Sequence, residues 1–471
     1  MLTVAKDKLG TTIMLIALLA LFFVMPEWQT VLTLLMWVVV IVFCLQQIKE
    51  RFLLLLFEAT IFTFLMTRLI LPDLFSTGYI AEDVDGTIRM FDADTLRFIY
   101  TTLAISICGV YLGFAIIPAQ EESTIRLYDT STEYVSSIRR MSKWLSYLCS
   151  LFYAAIIVEK GLFVIHNGYF ELYADFESNL PTVIHKLSSL YIALFSVFLA
   201  TFPTKQEARR PILLYLLIAT LSLMTGSRTM FMLALVFVLF YYCLRNIVTP
   251  EEQWLSRKAI IAIVISLPVI LGGMFLLAFV RTESEVAAGS LIDIFINFFY
   301  QQGVSAQVIG LTYELQDLLD DGRIFSFGQI IDNFNKNFIY QLMGKAVEYR
   351  QQTPEMALYG HSLGNTLTYY VKYKSFISGG GLGTSYIAEV WHDFGYIGLL
   401  LWNMMYGIIF AKFYQWVQKG LWPCAFGLIM IPDIIYAPRG QASAFLNIFL
   451  SITVLLVLYM VHYLAKHYVK R

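Results

Sequence analysis

Apolar residues dominate this chain in long, nearly unbroken runs rather than in strict alternation. Runs able to cross a hydrocarbon layer of about 30 Å, which takes roughly 17 to 25 helical residues, recur at about 10–25, 31–48, 52–71, 97–117, 144–165, 186–203, 211–226, 227–244, 259–280, 386–411, 421–437 and 441–465. They predict helices, because inside lipid every backbone N–H and C=O has to find its partner within the segment. The runs at 211–226 and 227–244 meet at "TGSRT", which reads as a tight glycine hairpin. Between the ninth and tenth runs, about 281–385, the chain turns polar. Within that segment "SLIDIFINFFYQQ" and "GQIIDNFNKNFIYQLM" place apolar residues three and four apart, predicting amphipathic helices that lie on the bilayer or cap the bundle. The expected fold is an all-α, polytopic transmembrane helix bundle of about 12 spans with one large extracytoplasmic loop. Its expected parts are residues 1–280 with nine spans, the loop 281–385, and 386–471 with the last three, together one integrated membrane domain.

Composition supports a membrane protein: of 471 residues, 58% are hydrophobic and 14% charged. With a formal net charge of −1 and no basic run, nothing points to nucleic acid as a partner. The five cysteines, Cys44, Cys108, Cys149, Cys243 and Cys424, fall inside apolar runs without paired spacing, so free thiols are expected. The basic start followed by an apolar run lacks a small-x-small cleavage site and is expected to remain as an anchor. With the N-terminus in the cytoplasm, most Lys and Arg of the short loops fall on the inner side, which also places the C-terminus there.

Charge is costly near hydrocarbon, so its placement is informative. Three arginines sit at outer connections: Arg228 in "TGSRTM", Arg281 in "LLAFVRTES" and Arg439 in "YAPRGQAS". Guanidinium is planar and always charged, and it meets phosphate oxygens in a two-pronged way. Gathered around one cavity, the three would cradle a lipid-linked diphosphate; taken singly, each would snorkel to ordinary lipid phosphates. The stretch "GGGLGTSYIAEVWHDFGYIG", 379–398, enters a late span with Glu389, His392 and Asp393 at the join. Thr384 or Ser385 is placed to cap the helix, and Glu389 then shares a face with His392 and Asp393. Glu389, His392 and the loop residue His361 in "LYGHSLGNTL" are the candidate proton acceptors. Glu-x-x-His is also a carboxylate-metal pattern, but a dinuclear site needs a second such motif and two further glutamates, and these are not found. Other candidates are the Asp-x-Asp pairs at 83–85 and 92–94 for a divalent ion, the in-span acid Glu58 for function or a structural hydrogen bond, and Glu159 with Lys160 as a mutually neutralising pair.

The stretches "GSRTMFMLALVFVLFYY" and "GLGTSYIAEVWHDFGYIGLLLWN", with the large loop between spans nine and ten, resemble the Wzy-type oligosaccharide repeat-unit polymerases of O-antigen and capsule assembly. The resemblance implies a GT-C-like membrane glycosyltransferase of the bacterial inner (plasma) membrane. Such an enzyme moves a growing glycan from undecaprenyl diphosphate onto the end of a new undecaprenyl-diphosphate-linked repeat unit at the outer face. It also implies that Arg228, Arg281 and Arg439 meet the anionic substrate, that a flippase and a chain-length regulator work alongside, and that neither metal nor cofactor is needed. A polysaccharide ligase would share this chemistry. A transporter of lipid-linked glycans would instead carry charges near the midplane and two related halves. Aromatic residues such as Tyr386 and Trp391 are candidates to stack on sugars.

Overall fold

The computed structural model describes residues 2–75, 91–118, 127–258, 291–319, 322–335 and 349–468, with scattered positions between 260 and 273. Among the described residues every regular element is helical. Ten helices are long and apolar enough to cross a membrane: Asp7–Val24, Pro26–Gln46, Ile48–Leu71, Ala93–Ile116, Glu133–Asn167, Thr182–Ala200, Lys205–Thr225, Thr229–Val248, Tyr386–Lys419 and Leu421–Arg439. An eleventh is broken, with Ala444–Leu450 and Ile452–His467 meeting at 64°. Each coincides with one expected run; the expected ninth, about 259–280, lies largely outside the described residues. The protein is an all-α, polytopic membrane protein.

Contacts divide the chain into two compact units, of which the first comprises Met1–Glu122, Gly289–Lys412 and Asp433–Ala444. Its centre is the crossing of the Ala93–Ile116 helix with the Tyr386–Lys419 helix. Phe98 meets Trp391 with ring centroids 4.4 Å apart, Asn403 Nδ2 donates to Ser106 Oγ at 3.2 Å, and Gly113 lies against Met404, so the two helices run side by side in one direction. Small residues make this approach feasible, as is usual where lipid supplies no hydrophobic drive between helices. A Cβ on Gly113 would overlap the Met404 carbonyl, and one on Gly407 would overlap the Val110 carbonyl. A buried chain of polar groups adds direction: Tyr386 donates to Asn403 Oδ1 at 2.6 Å, and Tyr406 to the Ala442 carbonyl at 2.8 Å.

The second unit comprises Ser123–Ala288, Phe413–Pro432 and Phe445–Arg471. It is built on the 35-residue Glu133–Asn167 helix, capped by Thr132. Tyr134 on that helix binds His462 Nδ1 at 2.6 Å and accepts from Trp422 Nε1 at 2.9 Å, joining three helices. The Lys205–Leu221 helix opens with a capping box of Thr204 and Glu207. The expected hairpin is present: Gly226 turns the chain at φ +73, a region favoured by glycine, and a Cβ there would also strike the Tyr169 ring. Glu159 and Lys160 do not neutralise each other. Neighbours on a helix point apart; Glu159 accepts from Ser178 Oγ at 2.6 Å and Asn179 N–H at 2.7 Å, while Lys160 lies 5.9 Å from the Phe176 ring.

All five cysteines are free, four of them buried and Cys243 half-buried. The Glu58 carboxyl makes no structural hydrogen bond: both its oxygens are buried without a partner among the described residues, while its backbone carbonyl accepts from Trp37 Nε1 at 2.9 Å. The helix crossing yields a direct test. Gly113→Ala forces a methyl into a backbone carbonyl, and overpacking of this kind costs about 1–3 kcal/mol. The purified variant should melt several degrees below the parent in a detergent thermal-shift assay; an unchanged midpoint would show that the two helices can part freely.

Candidate functional site

Two stretches of the first unit, 323–326 and 357–366, gather near the start of the Tyr386–Lys419 helix, and charged side chains fasten them. Arg323 Nη1 donates to the carbonyls of Ala357 at 2.9 Å and Gly360 at 2.8 Å, and to Thr366 Oγ1 at 3.3 Å. Its guanidinium also lies 5.1 Å from the Phe325 ring. Asp393 holds the next residues: Oδ1 accepts the Phe325 N–H at 3.2 Å, and Oδ2 accepts the Ser326 N–H at 2.7 Å and its hydroxyl at 2.5 Å. These are charge-assisted bonds, stronger than neutral ones.

The three candidate proton acceptors all lie in this unit, in different circumstances. Glu389, 1% exposed, accepts from Thr384 Oγ1 at 2.7 Å and from the Ala442 N–H at 2.8 Å, so both its oxygens are engaged. Thr384 therefore serves Glu389 instead of capping the helix. His392 places Nδ1 2.9 Å from Asp393 Oδ1 and Nε2 3.3 Å from the Leu319 carbonyl. Both partners accept, so both ring nitrogens are turned to acceptors. Glu389 and the His392–Asp393 pair thus secure different segments, although their spacing puts them near one face.

His361 differs. Asp332 takes its Nδ1 at 2.8 Å and its backbone N–H at 3.3 Å. The side chains are 19% and 26% exposed, and Nε2 forms no hydrogen bond to a described residue. With the proton on Nδ1 facing the carboxylate, the Nε2 lone pair is left for chemistry, the arrangement by which an acid orients a basic imidazole.

Of the three arginines, Arg439 belongs to the first unit, Arg228 to the second, and Arg281 lies outside the described residues. Arg439 Nη1 donates to the Gln302 carbonyl at 2.9 Å and to Gln302 Oε1 at 3.1 Å, and the guanidinium lies 5.6 Å from the Phe64 ring. Arg228 occupies the N-cap position of the Thr229–Val248 helix, where its carbonyl accepts the Met232 N–H at 3.1 Å. The two candidate stacking rings separate. Tyr386 is fully buried among Phe57, Asn403 and Tyr406, which removes it from any sugar. Trp391 is half-buried in a cluster with Phe98, Tyr313 and the exposed Tyr396, on either side of the break at Gly395, whose φ is +63.

Asp92, of the second Asp-x-Asp pair, caps the Ala93–Ile116 helix by accepting the Thr95 N–H at 2.7 Å, and that bond holds its carboxyl below the usual aspartate range. The pair at 83–85 lies outside the described residues. No group of three or more His, Cys, Asp or Glu placed to hold a metal occurs among the described residues. Sequence reasoning missed Asp332 and Arg323. Asp332 sits on the polar side of "GQIIDNFN", which becomes the Gly328–Asn335 helix, and its partner lies 29 residues on, so no local spacing announces it.

These features define a class: an all-helical, polytopic membrane protein in which charged side chains clamp the stretches 323–326 and 357–366 near the entry of a late span, beside an oriented histidine. The chain belongs to the family described as O-antigen polysaccharide polymerase Wzy, whose family model matches residues 9–471. No curated protein and no solved structure matches it. It is therefore an integral membrane enzyme that polymerises O-antigen repeat units.

The Asp393 clamp can be tested separately from activity. Asp393→Ala leaves the N–H groups of Phe325 and Ser326 without their acceptor, a loss of about 1–3 kcal/mol for each group left buried. Hydrogen–deuterium exchange should accelerate over residues 322–335 and remain unchanged within Ala93–Ile116; equal protection in variant and parent would deny the clamp.

Proposed function

We propose that the protein extends surface polysaccharide at the outer face of the bacterial inner membrane, with both termini in the cytoplasm. It moves the growing glycan from undecaprenyl diphosphate onto the non-reducing end of a new undecaprenyl-diphosphate-linked repeat unit. A flippase supplies that unit and a chain-length regulator acts alongside. The observation that carries the mechanism is the His361–Asp332 pair, which leaves Nε2 without a described partner in the loop that folds over the entry of a late span.

In this reading His361 is the catalytic base. The acceptor hydroxyl gives its proton to Nε2 while its oxygen attacks the anomeric carbon of the donor. The bond from that carbon to the diphosphate oxygen breaks, and its electron pair leaves with the diphosphate. A single displacement inverts the anomeric carbon and needs one base. Arg439 is the guanidinium for the diphosphate, Arg228 and Arg281 are each proposed to meet the anionic substrate, and fixed positive charge stabilises a leaving group more in a dry site than in water. With the diphosphate neutralised by guanidinium groups, the reaction needs no metal. Glu389 and His392 act as positioning residues, because their polar atoms are already engaged by the chain. Trp391 and its neighbours offer rings on which a sugar face can stack.

Purified protein supplied with synthetic lipid-diphosphate repeat units should lengthen them with no other enzyme present. Transfer only to a foreign acceptor would mean a ligase, and movement without bond formation a transporter. His361→Ala is expected to lower the rate by roughly 10²–10⁴, the usual contribution of a general base. Asp332→Asn should fall between that variant and the parent, and parental rates in His361→Ala would assign the base elsewhere. In cells, Arg281→Ala and Arg439→Ala should abolish long glycan at normal protein levels; normal chain lengths in both would remove the arginine cradle.

A further inference from the structure

Asp433 stands inside the Leu421–Arg439 span, where an acid is costly and marks a place of function. Its carboxylate forms no hydrogen bond or ion pair with a described residue. Protein crowds it on nearly every side, yet it is only half-buried, the situation of a group that lines an internal crevice. Its surroundings are firmly held. Thr60 Oγ1 donates to the Ile435 carbonyl at 2.9 Å, which ties this part of the span to the Ile48–Leu71 span. Phe57 of the same span packs on Tyr406 with ring centroids 5.7 Å apart, and Tyr406 lies within electrostatic reach of Asp433. From there a run of contacts leads to the candidate base. Trp402 and Tyr406 have ring centroids 6.3 Å apart, and Trp402 and Phe327 5.5 Å. Gly328, next to Phe327, sits so close to His361 that a Cβ would overlap the His361 carbonyl. A second polar group on this run is incomplete: Trp402 Nε1 is buried and faces the Tyr406 hydroxyl without completing a hydrogen bond.

We propose that Asp433 is a further substrate-binding residue that accepts hydroxyl hydrogens from a sugar of the bound glycan, with Trp402 Nε1 donating to an oxygen of the same sugar. This rests on the polymerase reading above and adds to it a place for the sugar. A carboxylate accepts and an indole N–H donates, whereas a sugar hydroxyl does both, so one sugar completes both groups. Trp402 is itself half-buried and offers part of its ring to the apolar face of that sugar. The same chemistry disfavours other occupants. A phosphate is repelled by the carboxylate, which leaves the diphosphate to Arg439 farther along the span. A bare cation would satisfy Asp433 but leave the buried indole N–H without an acceptor, and such a group is costly to leave unpaired.

The test uses the full-length protein in nanodiscs with two probes, farnesyl diphosphate and farnesyl diphosphate bearing the synthetic repeat unit. Asp433→Ala should weaken binding of the glycosylated probe about tenfold or more, the scale of a hydrogen bond to a charged group, and leave the sugar-free probe at parental affinity. Asp433→Asn keeps the size and one acceptor oxygen, so it should lose less; it replaces Asp433→Ala should that variant fail to fold. Trp402→Phe keeps a ring and removes the N–H, and should weaken the glycosylated probe alone by about threefold or more, the scale of a neutral hydrogen bond. Parental affinity for the glycosylated probe in the Asp433 variant used would overturn the proposal. An equal loss for both probes would also overturn it, since that marks a diphosphate site or a disturbed fold. So would sodium raising the melting temperature of the parent but not of the Asp433 variant, since that marks a cation site. Asp433-dependent binding of the glycosylated probe by a protein that elongates no glycan would keep this inference and remove the polymerase mechanism. Elongation by the parent, with Asp433 variants binding and elongating at parental levels, would remove the inference alone.

Discussion

A chain immersed in hydrocarbon has to satisfy its own backbone, because no water is present to complete a broken N–H or C=O bond. That constraint accounts for the all-helical form of the described residues and for much else besides. Helices that gain little from hydrophobic association have to touch closely, and Gly113 and Gly407 permit it where the Ala93–Ile116 and Tyr386–Lys419 helices meet. The side chains between them are either apolar or joined in bonds such as Tyr386 to Asn403 and Asn403 to Ser106. Most ionisable groups named here lie toward the helix ends, and Glu58, buried within the Ile48–Leu71 span, is an exception.

Between the late spans polar clamps add to the packing of buried residues such as Ile309, Phe325 and Leu367. Arg323 and Asp393 hold the stretch between them to the 357–366 segment and to the start of a span. Glu389 ties that same span to Ala442, three residues beyond Arg439. His361 sits in a bend and Arg439 at the end of the Leu421–Arg439 span, and each is oriented by a named partner, Asp332 for one and Gln302 for the other.

Much of the architecture was legible in the sequence because it follows from periodicity and hydropathy. The membrane helices, the turn at Gly226 and the amphipathic Leu291–Gln302 helix each announce themselves within a short window. The site was legible only in parts. His361 and Arg439 were visible as unusual residue types, but their partners lie 29 and 137 residues away. Tyr386 misled. Its aromatic ring next to a glycine-rich loop suggested a sugar contact, whereas its hydroxyl belongs to a buried network with Asn403.

The proposed reaction rests on His361, whose ring is oriented by Asp332. A density map of the protein bound to a phosphonate analogue of a polyprenyl-diphosphate-linked sugar addresses it most directly. The proposal predicts the anomeric carbon of the bound sugar beside His361 Nε2, with the diphosphate against Arg439. Density for that sugar at a place remote from His361 would contradict it.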